Sequence, residues 1–247
     1  MVGGRSVGMD GEYIDTMFHA LLTRASSILP SQCAVCHAWP AQPVCEACVV
    51  RFAQPQTRCQ TCALPVPVGV LRCGACVKQP PPLDACVAAV SYAYPWSGLI
   101  TSYKFNSNPG WSSTFATLLR STPWTEPALD ACDLLVPMPL SVQRLQTRGF
   151  NQALVLARAL QPDKTDSQVL LRIKDTPAQS ALGRKERLQS VKDAFAVDPL
   201  LAARVRGKRI VLVDDVMTSG ASMYAAALAL RSSGAMHITG MVVARTE

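Results

Sequence analysis

The chain has 247 residues, enough for one sizeable hydrophobic core with a small appendage or for two domains. Apolar residues make up 49% of it, but no uncharged apolar run approaches the roughly 18 residues that a membrane-spanning helix needs, so we expect no membrane insertion. The net charge of +7 favours anionic partners, such as a phosphorylated small molecule or a nucleic acid.

Residues 1–30 predict a leader that contains a short amphipathic helix. Its apolar stripe is formed by Ile14, Met17, Phe18, Leu21, Leu22 and Ile28. We expect this stripe to pack against the body of the protein rather than to attach it to a membrane. A basic segment followed by a continuous apolar run is missing here, so no secretory signal and a cytoplasmic location are expected.

Residues 31–80 contain four C-x-x-C pairs, which account for eight of the ten cysteines. One pair can direct two thiolates at a tetrahedral ion, so two pairs complete a Cys₄ zinc site. The segments between the pairs are too short to bury much apolar surface, so metal would supply their folding free energy. We therefore predict a double zinc ribbon with two structural Zn²⁺ ions, bound by Cys33, Cys36, Cys45, Cys48, Cys59, Cys62, Cys73 and Cys76.

The favoured pairing is sequential, with the first two pairs on one ion and the last two on the other. A cross-braced pairing, in which the first pair joins the third, stays open because the spacing fits both. Disulfides would need an oxidising compartment, against which the missing secretory signal argues. A thioredoxin-like redox centre would be a single pair beside a βαβ unit. Zinc is therefore the preferred interpretation.

Beyond a stiff proline linker at 80–82, residues 83–247 alternate between strand and helix patterns. Strands are predicted at 85–94, 134–136, 169–173, 194–197, 210–213 and 238–244, and helices at 99–105, 112–120, 151–160 and 223–231. Such alternation indicates an α/β fold with a mainly parallel sheet flanked by helices. In these folds ligands bind outside the carboxyl ends of the strands.

Basic residues follow a proline-rich turn in the segment 136–160. Arg144 and Arg148 offer planar donors that suit a pyrophosphate, and Gly149 permits a close approach of the backbone. Asn151 is a suitable N-cap for the helix that follows. The simpler alternative is a turn with solvated arginines.

The segment 174–195 is polar and basic, with few apolar anchors. A structureless loop of this length is uncommon in a compact domain, which indicates a mobile functional loop or a surface helix. A lid that closes over a reactive sugar would exclude water and prevent hydrolysis.

Residues 209–222, RIVLVDDVMTSGAS, carry the strongest functional signal. The apolar run at 210–213 is typical of a strand buried on both faces of a parallel sheet, and it ends in Asp214 and Asp215. Two adjacent carboxylates at the end of a buried strand indicate a polar binding function, such as contact with sugar hydroxyls or Mg²⁺. The next loop offers backbone N–H groups and a helix amino terminus to a phosphate. Its residues are Thr218, Ser219, Gly220, Ala221 and Ser222. The simpler alternative, a strand end with a turn and an N-cap, leaves the paired aspartates unexplained.

This stretch resembles the signature of type I phosphoribosyltransferases, which use phosphoribosyl pyrophosphate (PRPP). The resemblance implies that Asp214 and Asp215 form the catalytic pair and hold the ribose 2′- and 3′-hydroxyls. It also implies that the loop amides and hydroxyls hold the 5′-phosphate, and that Mg²⁺ binds together with PRPP.

The whole pattern narrows the resemblance to one family. Four C-x-x-C pairs, a VPMPL turn, R-x-x-x-RGFNQ, T-x-x-Q-x-x-L-x-x-x-ERL and VDDVMTSG look like the ComF-type (GntX-like) proteins over residues 29–245. That family joins a zinc module (31–80 here) to a type I phosphoribosyltransferase domain (83–247 here). The resemblance assigns the pyrophosphate loop and the residues after it to Pro137, Met138, Pro139, Leu140, Ser141, Arg144, Arg148 and Gly149. It assigns a flexible loop to Thr176, Gln179 and Arg187.

Two positions depart from the family pattern. Residues 103–108 stand where a segment ending in Gly-Asp is expected, and Ser190 stands where Asn is expected. Neither change touches the PRPP signature, but both affect residues that would lie near the sugar or the acceptor.

The resemblance implies Mg²⁺-dependent binding of PRPP and transfer of its phosphoribosyl group, in a protein linked to DNA uptake in natural transformation. Single-stranded DNA and the helicase and uptake proteins of competence are the further partners it suggests. The alternative function is a DNA-binding accessory protein that uses the fold as a nucleotide-responsive regulator. Against it, the basic region offers only Phe150 and Phe195 for base stacking. The acceptor is not identified by any motif.

Overall fold

The computed structural model describes residues 31–105, 108–174 and 193–247. The predicted leader helix and most of the predicted flexible loop lie outside these ranges. The chain divides into two compact units, of which the first ends at Arg51 and the second runs from Phe52 to Glu247. None of the helices in the described ranges is long and apolar enough to cross a membrane.

Most of the regular structure belongs to the second unit. The helices are α1 (Glu46–Phe52), α2 (Gly74–Lys78), α3 (Trp96–Phe105), α4 (Trp111–Arg120), α5 (Thr125–Ala131), α6 (Val142–Arg148), α7 (Gln152–Leu160) and α8 (Ala221–Ser232). The strands are β1 (Ala85–Ser91), β2 (Leu134–Pro137), β3 (Leu170–Arg172), β4 (Phe195–Val197), β5 (Arg209–Met217) and β6 (His237–Arg245). Short 3₁₀ turns occupy Pro162–Lys164 and Pro199–Arg204.

Four strands form one fully parallel sheet in the order β1–β6–β5–β2, which confirms the predicted fold class. β5 and β6 occupy its centre, and the side chains at 210–213 are buried, as their unbroken apolar run predicts. On one face, Ile210 and Leu212 join an apolar cluster with Ala226 and Leu230 of α8. Elsewhere α4 packs against α7, and α7 packs against β2 and β5. Strands β3 and β4 form a separate antiparallel pair.

β5 is longer than the apolar run that predicts it. The sequence places Asp214 and Asp215 after the strand, but β5 continues to Met217. The physical reason is that β6 extends equally far and supplies partners, with Asp214 opposite Val242 and Met217 opposite Arg245. The two carboxylates therefore project from a hydrogen-bonded ladder, which fixes their backbone more firmly than a loop would.

Helix α6 lies where the sequence predicts only a basic turn. Ser141 caps it, because its Oγ accepts a hydrogen bond from the Arg144 N–H at 3.4 Å. Gly149 ends it in the left-handed region at φ 77°, which glycine adopts without steric cost. The helix thus fixes the direction in which Arg144 and Arg148 point.

The second cysteine segment, residues 58–76 with the last two C-x-x-C pairs, is attached to the edge of the sheet. The Cys86 N–H of β1 donates to the Gln60 carbonyl at 2.7 Å, and the Arg58 Nη2 donates to the Ser91 Oγ at 3.2 Å. From the end of β6, the Arg245 Nε donates to the Cys62 carbonyl at 2.9 Å. These bonds make the segment part of the same compact unit as the sheet.

Candidate functional site

A cavity of about 740 Å³ lies at the carboxyl ends of β2 and β5, where ligands bind in this class of fold. The predicted residues that line it are Met138, Pro139, Leu140, Ser141, Arg144, Arg148, Asp214, Asp215, Thr218, Gly220, Ala221 and Ser222. Pro137, Gly149 and Ser219 border these residues in the chain without lining the cavity. Thr176, Gln179 and Arg187 lie outside the described residues.

A second cavity, of about 440 Å³, lies on the side of the amino-terminal halves of β1, β5 and β6. Its wall is mostly apolar and includes Trp124, Val87 and Val211. None of the PRPP-binding residues predicted within the described ranges lines it. Within the described residues, the predicted PRPP-binding groups are therefore concentrated in the larger cavity.

Asp215 is the most deeply buried acid of the site, with 2% of its surface exposed. Its Oδ1 pairs with the Lys104 Nζ at 3.0 Å, but its Oδ2 has no hydrogen-bond partner among the described residues. Buried polar atoms in native proteins are nearly always satisfied by protein, water or ligand. An oxygen left free in this position is suited to a ligand hydroxyl or a cation.

Asp214 is half-buried beside it and is held by the backbone. Its Oδ1 accepts the Asp215 N–H at 2.9 Å. Burial, together with the neighbouring Asp215 charge, raises the pKa of Asp214 to about 7 against the opposing effect of Lys104. A bound Mg²⁺ would favour the ionised pair, because an adjacent positive charge stabilises a carboxylate.

Lys104 and Phe105 complete this wall of the cavity, and sequence reasoning noted them only as a departure from the family pattern. They lie at the end of α3, whose Tyr103 hydroxyl donates to the Gln152 carbonyl at 2.6 Å. The Tyr103 ring packs edge-on against Phe115, with centroids 5.5 Å apart. This anchor brings the Lys104 ammonium to Asp215, a contact between segments far apart in the chain for which no local motif exists.

The basic side of the cavity is formed by α6. The Arg148 guanidinium lies 5.0 Å from the centroid of the Phe105 ring, a cation–π contact that fixes its plane. Burial lowers the pKa of Arg148, while Asp215 and Asp214 act in the opposite direction. The group remains charged, because the pKa of a guanidinium lies far above neutrality.

The turn between β2 and α6 is held from both sides. The Met138 N–H donates to the Val213 carbonyl at 2.8 Å, and the Asn151 Nδ2 donates to the Met138 carbonyl at 3.1 Å. The Asn151 Oδ1 also accepts the N–H groups of Ala153 and Leu154, which confirms the predicted N-cap of α7. One side chain therefore fixes both a helix start and the turn.

The loop before α8 is shaped by a left-handed glycine at the amino end of the helix. Gly220 adopts φ 83°, and a Cβ there would lie 2.6 Å from both Met217 Cε and Tyr224 Cζ. The Ser219 Oγ accepts the Ala221 N–H at 3.3 Å. The loop opens into the cavity at the amino end of a 12-residue helix, where free N–H groups and the helix dipole favour a phosphate.

The cysteines form two groups that could each hold one metal ion. Cys33, Cys36, Cys45 and Cys48 form one group and Cys59, Cys62, Cys73 and Cys76 form the other, with all Sγ atoms of a group within 4.8 Å of one another. The Sγ–Sγ distances of 3.6 to 3.9 Å compare with about 3.8 Å for a tetrahedron with Zn–S bonds of about 2.3 Å. The grouping is sequential rather than cross-braced.

The two cysteine groups have the same local hydrogen-bond pattern. The Cys45 N–H donates to Cys33 Sγ and the Cys73 N–H donates to Cys59 Sγ, each at 3.3 Å. Burial opposes ionisation of Cys33 and Cys59, but backbone N–H groups outweigh it and lower each pKa to about 6. One thiol of each group is therefore prepared for metal binding at neutral pH.

Comparison with known proteins agrees with this architecture. The phosphoribosyl transferase domain family matches residues 145–246. DNA utilization protein YhgH of Escherichia coli K12 is 31% identical over 214 residues, which cover 82% of this chain and 90% of that protein. Competence protein F of Haemophilus influenzae is 31% identical over 196 residues, 76% of this chain and 84% of that protein. Competence protein ComFC of Bacillus subtilis is 32% identical over 135 residues, 55% of this chain and 53% of that protein.

The chain is thus a phosphoribosyltransferase-domain protein with two cysteine groups that fit zinc ribbons. It belongs to the ComF family of competence and DNA-utilization proteins.

Metal content tests the cysteine groups. Protein purified without chelator should contain two zinc ions per chain by elemental mass spectrometry, since each tetrad matches a Cys₄ site. Cys36→Ser and Cys73→Ser should each lose one ion, while Cys132→Ser, outside both tetrads, should keep both. Metal-free wild-type protein would contradict the assignment.

Gly220→Ala tests the loop before α8. Its Cβ would enter the space of Met217 and Tyr224 at a φ that alanine avoids. We expect the free energy of unfolding to fall by about 1–3 kcal/mol in urea titrations. Gly98→Ala, where a Cβ meets nothing within 4 Å, is the matched control and should not destabilise. Equal stability of both variants would show that the loop tolerates a side chain.

Asp214→Asn tests the raised pKa of that acid. A carboxyl whose folded pKa is raised from 3.8 to about 7 takes up a proton on folding, so it lowers stability as pH rises between those values. The variant should therefore match wild type near pH 4 and exceed it above pH 7, by about 1 kcal/mol or more in urea titrations.

Asp133→Asn provides the opposite control. The backbone N–H of Arg209 lowers the pKa of Asp133, so that carboxylate stabilises the fold above its ordinary pKa and ceases to do so in acid. Its replacement should therefore destabilise at neutral pH only. An Asp214→Asn effect that does not change with pH would show that folding does not shift the pKa of Asp214.

Proposed function

We propose that the cavity at the carboxyl ends of β2 and β5 binds PRPP with Mg²⁺ and transfers its phosphoribosyl group. The observation that carries the proposal is the buried, unpartnered Oδ2 of Asp215, which lies in the same cavity as the amino end of α8. A ligand that offers hydroxyls or a cation to the acid and a phosphate to the helix would satisfy both.

The three parts of PRPP correspond to three parts of the wall. Asp214 and Asp215 would meet the ribose hydroxyls and the magnesium ion. The amides and hydroxyls of residues 218–222 would hold the 5′-phosphate. The turn at 138–141, together with Arg144 and Arg148, would hold the pyrophosphate, because guanidinium groups donate in pairs to phosphate oxygens.

The proposed transfer involves no covalent bond between the protein and the phosphoribosyl group. The bond from the anomeric carbon to pyrophosphate breaks, pyrophosphate leaves with the electron pair, and a lone pair of the acceptor forms the new bond. Charge develops on the leaving pyrophosphate, where Arg144, Arg148 and the metal would stabilise it. Positioning of the two reactants supplies the rest.

The biological setting follows from the relatives. Proteins named for DNA utilization and for competence align over most of this chain, which supports a role linked to DNA uptake. Single-stranded DNA is compatible with the net charge of +7. DNA binding without PRPP binding is the competing function.

Isothermal titration calorimetry with PRPP tests the proposal. Binding should require Mg²⁺, and Asp215→Asn should weaken it about tenfold or more, because a charge-assisted contact contributes about 1.5–3 kcal/mol. Affinity for wild type should rise as pH increases through 7, because Asp214 ionises there. Glu126→Gln removes a carboxylate that pairs with Arg120 outside the cavity, and it should bind like wild type.

Three results separate the candidates. No heat with PRPP and Mg²⁺ would overturn the proposal. Absence of PRPP binding together with binding of a single-stranded oligonucleotide that weakens steeply as salt increases would favour the DNA-binding function. Equal PRPP binding by wild type and Asp215→Asn would show that PRPP binds elsewhere.

A further inference from the structure

Arg245 is a buried cation at the end of β6 that has no place in the PRPP site described above. Only 4% of its surface is exposed. Its Nε donates to the Cys62 carbonyl at 2.9 Å, and its Nη1 donates to the carbonyls of Met217 at 3.0 Å, Thr246 at 2.6 Å and Thr218. One guanidinium therefore joins the second cysteine segment, the end of β5 and the first residue of the phosphate loop.

Backbone carbonyls accept the hydrogen bonds from the Nε and Nη1 of this cation. Among the described residues Arg245 forms no ion pair with a carboxylate. A buried charge held mainly by carbonyl dipoles becomes costly when its donors lose those partners. Because the guanidinium is a rigid planar fork, a shift of one carbonyl changes the geometry available to the others.

Both ends of this connection belong to a candidate binding site. Cys62 is a member of the second tetrad, so the position of its carbonyl depends on how the four thiolates close around an ion. Thr218 begins the loop at 218–222, which lines the cavity. The link is direct, since a single side chain contacts both backbones.

We propose that Arg245 is a positioning residue that couples metal occupancy of the second tetrad to the conformation of the phosphate loop. With zinc bound, Cys62 holds the Nε of Arg245, and Nη1 holds the carbonyls of Met217 and Thr218 so that the loop amides face the cavity. The consequence for PRPP affinity rests on the proposed function; the effect on the loop does not. Coupling is reciprocal in binding free energy, so PRPP also tightens the binding of zinc by this tetrad.

Hydrogen–deuterium exchange of the loop amides at 218–222 tests the coupling without PRPP. Arg245→Met, which keeps the apolar length and removes the donors, should speed their exchange about 5-fold or more. Arg245→Lys keeps the charge and some donors and should give an intermediate rate. Arg231→Met is the control: Arg231 also donates to two carbonyls, of Ala235 and Met236, but it pairs with Asp84 away from the loop. It should leave the loop amides unchanged.

Loss of the second metal should act through the same residue. Cys73→Ser should speed loop exchange in the wild-type background and add little in Arg245→Met, whereas independent effects would multiply. Cys36→Ser, which disturbs the first tetrad, should not affect the loop. Loop exchange that is unchanged in Arg245→Met, or effects of Cys73→Ser and Arg245→Met that multiply fully, would overturn the proposal.

Zinc release to a chelating dye provides a second measurement on the intact chain, which still applies if Cys73→Ser does not fold. At equilibrium, millimolar PRPP with Mg²⁺ should lower the fraction transferred to the dye for one of the two zinc ions in wild type and for neither in Arg245→Met. If PRPP binds to wild type but protects neither ion from the dye, the coupling is wrong while the proposed function stands. If PRPP does not bind at all, the proposed function fails and the exchange experiment still decides the coupling.

Discussion

The parallel ladder between β5 and β6 positions every part of the candidate site. It continues beyond the apolar run at 210–213 to Met217 opposite Arg245, so both carboxylates project from paired backbone. β2 pairs with the other side of β5, with Pro137 opposite Val213, and this register sets the turn at 138–141, the proposed pyrophosphate site, beside the acids. The loop at 218–222, proposed to bind phosphate, begins where the ladder ends. A change in the register of these two strands would therefore move all three binding elements together.

Much of this arrangement can be predicted from local sequence. The apolar run at 210–213, the small residues at 218–222 and the cysteine spacing each encode a local structure, so their interpretation needs no knowledge of distant contacts. The full length of β5 could not be predicted, because Val216 and Met217 are held in the strand by β6. Helix α6 was missed because it has no buried residue among those described, so it shows no apolar periodicity.

The role of Lys104 could not be predicted from the sequence for a different reason. Its neighbours in sequence carry no catalytic pattern, and its role as the partner of Asp215 depends on the Tyr103–Gln152 hydrogen bond between α3 and α7. The site also departs from the rules that stabilise a protein. An acid with a raised pKa, an unpartnered carboxylate oxygen and a left-handed glycine occur around one cavity. Such concentrated departures are typical of places that a ligand completes.

The bond from Cys86 to Gln60 bears on how the chain can be divided. β1 is an outer strand of the sheet, and unpaired outer strands invite association with other chains. The second cysteine segment covers part of that edge, so a fragment cut at the prolines 80–82 would expose it. A fragment limited to the matched domain, 145–246, would lack β1 and β2 altogether. The two cysteine groups have the same local hydrogen-bond pattern but belong to different compact units. The first lies in the unit that ends at Arg51, whereas the second lies in the same unit as the sheet, so a fragment that keeps the covered edge of the sheet must also keep the second group.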